Sequence, residues 1–121
     1  MQAKPILFAV VAALLLGITS LSRTASAQVE PRRIELSAKR FAYSSSEITL
    51  KKGQPVVLVL TALDTTHGLR IHDLNVDMKV KKGETKEADF TPEQVGTFIG
   101  HCTVFCGSGH GSMMLTIHVV E

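Results

Sequence analysis

Apolar and polar residues alternate with a period of two along much of the chain beyond residue 33. No stretch carries a convincing 3.6-residue helical stripe. Ile34–Ala38 alternates, and Glu47–Leu50 leads through a Lys-Lys-Gly turn into Pro55-Val-Val-Leu-Val-Leu-Thr-Ala62. That continuous apolar run predicts a central strand covered on both faces. Further strands are predicted at His67–Ile71, Asp77–Lys81, Thr85–Phe90, Thr97–Cys102 and Met114–Val120. Short strands at regular spacing, separated by Gly-containing turns, predict an all-β fold, an antiparallel β-sandwich. The turns Lys51-Lys52-Gly53 and Lys81-Lys82-Gly83 read as solvated hairpin ends.

The opening residues break this pattern. Lys4 precedes the unbroken apolar run Ile6–Ile18, and Ala25-Ser26-Ala27 follows as an A-x-A cleavage signal. This layout predicts a signal peptide over residues 1–27, then a short polar leader at 28–33 and one domain at 34–121. The apolar run is shorter than the roughly 20 residues of a spanning helix. An uncleaved membrane anchor is the alternative.

Cleavage also changes the charge. Lys4 and Arg23 leave with the segment, so the 13 basic residues fall to 11 and equal the 11 acidic ones. No basic patch survives to bind nucleic acid, and no nucleic-acid partner is expected. Export places the domain in the periplasm or on the outer face of the cytoplasmic membrane. In that oxidising compartment two cysteines ordinarily form a disulfide.

A different use of the cysteines follows from their neighbours. Cys102 to Met113 reads C-T-V-F-C-G-S-G-H-G-S-M, four soft ligands spaced Cys-x3-Cys-x3-His-x2-Met. Upstream, His67 ends the run Leu63-Asp-Thr-Thr-His. Thiolates, imidazoles and a thioether suit copper rather than calcium or magnesium. A mononuclear electron-transfer copper uses one cysteine, whereas two converging thiolates can each bridge two coppers. His67 and His110 would then cap one copper each, and Met113 would add a weak axial contact. Two thiolates balance two Cu(I), so losing one electron spreads a single positive charge over the whole core. Five of the nine glycines lie between Gly96 and Gly111, interleaved with these ligands, as a tight metal loop requires.

Strand parity sorts the remaining histidines. His67 shares a face with Leu69 and Ile71, and Met113 with Leu115, Ile117 and Val119, so both should point inward. His72, His101 and His118 fall on the opposite face and read as surface residues.

The Asp64-Thr-Thr-His67 and Cys102-x3-Cys106-x3-His110-x2-Met113 motifs together resemble the copper-A centre of cytochrome c oxidase subunit II. The resemblance runs from about Ile34 to Glu121 and takes in Phe41-Ala-Tyr, Ile48-Thr-Leu, the Lys-Lys-Gly turn and the terminal strand. It implies a cupredoxin Greek-key β-sandwich with the ligands on loops at one end. It also implies that Cys102 and Cys106 bridge two copper ions, that His67 and Met113 complete one, and that His110 and the backbone carbonyl of Val104 complete the other. Met114, one residue out of register, reads as a packing neighbour. The resemblance implies protein redox partners, a c-type cytochrome or a membrane oxidase. Membrane contact would come only through a partner or an uncleaved N-terminal segment.

Three features depart from that family. Val104 stands where a metal-holding glutamate is usual, no two-helix membrane hairpin precedes the domain, and there is no tryptophan. The reading is therefore an exported electron-transfer protein with a dinuclear copper centre, its membership of a larger oxidase left open. The alternative is a periplasmic copper chaperone or store. A Cys102–Cys106 disulfide explains neither His110, Met113 nor the inward His67. An enzyme is not expected, because no general base or nucleophile accompanies the ligands.

Overall fold

A computed structural model describes residues 29–121, and the expected signal peptide lies outside the described residues. Among the described residues nine strands form two sheets: β1 (Arg32–Lys39), β2 (Ala42–Tyr43), β3 (Glu47–Lys51), β4 (Val56–Ala62), β5 (His67–Ile71), β6 (Val76–Val80), β7 (Thr85–Phe90), β8 (Gly96–His101) and β9 (Met114–Val120). One sheet has the order β2-β1-β4-β7 and the other β3-β9-β8-β5-β6. The only helical segments among the described residues are two single 3-10 turns, His72–Leu74 and His110–Ser112.

Alternation explains the core. Leu36 and Ala38 of β1, Leu58, Leu60 and Ala62 of β4, Leu69 and Ile71 of β5, and Leu115, Ile117 and Val119 of β9 are all buried. They project from the inner faces of the two sheets into one shared layer. Strand β4 sits between β1 and β7, and its Val59 is buried on the other face, in keeping with its unbroken apolar sequence.

Three expectations need correction. First, the sandwich is not wholly antiparallel: β1 runs parallel to β4, and β3 parallel to β9. Side chains alternate in the same way in both strand directions, so the pattern predicts the buried face but not the partner's direction. Second, the Lys-Lys-Gly turns are not hairpin ends. They carry the chain across the sandwich, from β3 to β4 and from β6 to β7, which lie in different sheets. Each closes with an i→i+3 bond (Gln54 N to Lys51 O, 3.2 Å; Glu84 N to Lys81 O, 2.9 Å) and places glycine at a positive φ of 78° or 79°. Third, β1 begins at Arg32, inside the expected leader. Its register with Val56 and Val57 continues past the last buried residue, where exposed Arg33 pairs with Glu87 at 2.9 Å.

Candidate metal centre

The expected ligands come from two places at one end of the sandwich. His67 is the first residue of β5, while Cys102, Cys106, His110 and Met113 belong to the long loop between β8 and β9. That loop is closed at its base by a bond from the Cys102 amide to the Met113 carbonyl, 3.2 Å. Inside it, His110 and Ser112 donate to the carbonyls of Gly107 and Gly109 to form a 3-10 turn.

The side chains converge. Cys102, Cys106 and Met113 are buried, His110 is half-buried, and His67 is 0% exposed. The two sulfurs lie 4.0 Å apart. His67 Nδ1 is 4.0 Å from Cys102 Sγ, and His110 Nδ1 is 3.8 Å from Cys106 Sγ. Met113 Sδ lies 3.9 Å from Cys106 Sγ, and the Val104 carbonyl 3.3 Å from Cys102 Sγ. Both cysteines are free thiols.

Surrounding groups orient these atoms. His67 Nε2 donates to Asp64 Oδ1 at 2.6 Å, which turns Nδ1 toward the sulfurs. The Arg40 amide donates to the other carboxylate oxygen at 2.8 Å. This bond first, then the one from His67, lowers the Asp64 carboxyl to a pKa of about 2. Burial, followed by the charge of neighbouring Cys102, pushes the Cys106 thiol up. The Gly68 amide donates to Cys102 Sγ at 3.4 Å, and a side chain at Gly68 would strike Thr103 Oγ1 at 2.4 Å. Buried Tyr43 donates its hydroxyl to the Gly68 carbonyl at 2.6 Å, and burial raises its own pKa.

The remaining histidines lie elsewhere: His72 and His101 are exposed, and His118 is half-buried beside Thr97 and Glu47. Met114 is 46% exposed on the outer face of β9, so it does not pack beside the site. Parity explains this, because the residue after inward Met113 must point outward. Four contributors were not legible as such in the sequence: Asp64, Arg40, Tyr43 and Phe41, whose ring lies against Gly107 and Gly109. Asp64 left a local signal, a carboxylate three residues before a candidate ligand histidine, and Phe41 and Tyr43 fall in the Phe41-Ala-Tyr segment that carries the resemblance; Arg40 left none.

A two-sheet sandwich that brings two thiols, two imidazoles, a thioether and a carbonyl together at one end defines a cupredoxin-type fold with a soft-ligand cluster. Residues 7–114 match the model of the cupredoxin-like domain, and the chain belongs to that family. Over 84 residues it is 37% identical to nitrous-oxide reductase of Cupriavidus necator, covering 66% of this chain and 13% of that protein. It is 31% identical over 81 residues to cytochrome c oxidase subunit 2 of Thermus thermophilus, covering 67% and 60% respectively. The chain therefore spans less than two thirds of either relative. Its fold superposes on the periplasmic domain of cytochrome oxidase subunit II of Bradyrhizobium japonicum with a TM-score of 0.70 at 20% identity, covering 78% of this chain and 88% of that one. Auracyanin A, a blue copper protein of Chloroflexus aurantiacus, shares the fold with a TM-score of 0.63 at 19% identity, covering 75% and 100%.

Proposed function

We propose that this chain is an exported single-electron carrier whose ligand cluster holds a dinuclear copper centre. The observation that carries the reading is the pair of buried sulfurs 4.0 Å apart, each flanked by an imidazole Nδ1 at 4.0 or 3.8 Å. Two soft-metal thiolate bonds of about 2.3 Å sum to more than that gap. Both sulfurs would therefore be within reach of one soft metal ion, and the two thiolates would hold the centre between them. The donor chemistry fits copper.

In this reading Cys102 and Cys106 bridge, His67 and Met113 complete one copper, and His110 with the Val104 carbonyl completes the other. The bound metals would supply a one-electron couple. The protein supplies ligands fixed in one geometry, with Asp64 setting the His67 ring and β-strands anchoring both ends of the loop. Burial of the sulfurs keeps water from them. Phe105, 79% exposed, lies 5.8 Å from the His110 ring and marks the face on which a redox partner would rest. That partner is a c-type cytochrome or a membrane oxidase. Export rests on the segment at residues 1–27; no helix among the described residues is long and apolar enough to cross a membrane.

The test is copper reconstitution of the chain from residue 28, with metal counting and electron paramagnetic resonance. Two coppers sharing one unpaired electron are expected, lost in His67→Ala and retained in His72→Ala. A single copper with the electron on one nucleus, or colourless Cu(I) that cannot be reversibly oxidised, would refute the proposal.

A further inference from the structure

We infer that Arg40, which supplies no ligand, is a positioning residue that clamps the two halves of the metal centre together. The inference rests on the copper reading above for its purpose, though not for its geometry. Arg40 lies in the turn between β1 and β2 and faces both ligand-bearing segments. Its amide holds Asp64, the carboxylate that sets His67, at 2.8 Å. Its guanidinium Nε donates to the Cys106 carbonyl at 2.7 Å. One residue therefore ties the His67 side of the centre to the Cys106–His110 side.

The bond to Cys106 stands apart from its surroundings. Among the described residues, every other hydrogen bond made by residues 106–112 ends within 102–113. The loop is closed on itself, and among the described residues only Arg40 ties this stretch to the sandwich by a hydrogen bond. Next door, the Phe41 ring lies so close to Gly109 that a methyl there would sit 2.4 Å from it. The Arg40-Phe41 step thus grips the loop through one polar and one apolar contact. A charged donor on a partly buried carbonyl is among the stronger hydrogen bonds, and losing it frees the local opening of whatever it held.

The consequence is kinetic and local. With the clamp intact, the Cys106 thiol is shielded and any bound metal is enclosed. Without it, the loop opens while the sandwich stays folded. The carbonyl, not the side chain, is the group held, so the clamp fixes where the Cys106 sulfur sits relative to His67.

Thiol reactivity of the metal-free, reduced chain tests this without copper. Arg40→Ala should react with a disulfide reagent at least about tenfold faster than the parent chain, the factor expected for a charged hydrogen bond. Arg40→Lys, which keeps a charged donor, should recover most of the protection. Leu50→Ala, in the core at the far end of β9, should lower the urea midpoint without this acceleration. In the copper-loaded chain, transfer to a Cu(I) chelator should accelerate by a similar factor in Arg40→Ala. An unchanged thiol rate in Arg40→Ala, no recovery in Arg40→Lys, or equal acceleration in Leu50→Ala would overturn the inference. Failure of the chain to bind two coppers leaves the thiol result standing, so the two readings fail separately.

Discussion

Replacing Gly109 by alanine should destabilise the domain through a single identifiable collision. The backbone at Gly109 has φ −91°, which alanine accepts without strain. On that ground alone the change would stabilise by about 0.4–1 kcal/mol, by narrowing the unfolded ensemble. The added methyl, however, would sit 2.4 Å from Phe41 Cδ2 and 2.5 Å from Cγ. Carbon atoms pack at about 3.5–4.0 Å, so ring or loop must move by more than 1 Å. Overpacking of this kind costs about 1–3 kcal/mol, which leaves a net loss of about 1–2 kcal/mol. In the Phe41→Ala background the ring is absent, and the same methyl should be neutral or stabilising. The resulting coupling is about 2 kcal/mol, well above the error of additivity for independent sites. Equilibrium urea unfolding of the four metal-free, reduced proteins measures it. Gly111→Ala, where a methyl meets nothing within 4 Å, is the control and should stay within about 0.5 kcal/mol of the parent. If Gly109→Ala loses the same stability with and without the Phe41 ring, the contact is not what the glycine accommodates.

Tyr43→Phe should lower stability by about 1–3 kcal/mol in thermal or urea unfolding, because the buried Gly68 carbonyl loses its 2.6 Å donor; an unchanged midpoint would show that another group takes over the carbonyl. Acid should expose the role of Asp64. Its folded pKa of about 2 lies below the ordinary carboxylate value of 3.8, so the ionised form adds stability that is fully present above about pH 4 and is lost as pH falls toward 2. The stability difference between the metal-free parent and Asp64→Asn should accordingly shrink across that interval, and a constant difference would contradict the carboxylate's part in holding the Arg40 amide and His67.

The division between what was legible in the sequence and what was not follows from how each contact is encoded. Period-two alternation, with one continuous apolar run at β4, located the eight longer strands, and alternation set the inward parity of His67, since facing the core is a property of a residue and its neighbours two positions away. The ligand spacing was legible because a short loop must bring its own residues together. Strand direction was not, for the reason β1 and β4 illustrate: both pairings bury the same side chains. The turns after Lys52 and Lys82 could be read as turns from glycine, yet whether they return to the same sheet or cross to the other depends on where the next strand finds its partner. The clamp is the furthest from view. Arg40 and Cys106 are separated by 66 positions, and the acceptor is a backbone carbonyl that every residue possesses. No choice of residue at position 106 announces that its carbonyl is held, and an exposed arginine in a β-turn ordinarily reads as solvation. Asp64 is intermediate, near enough to His67 to suggest its role, though its second partner is again a main-chain amide. The candidate ligands are thus written in local spacing. The groups that hold them still are written largely in main-chain contacts, which only the fold brings together.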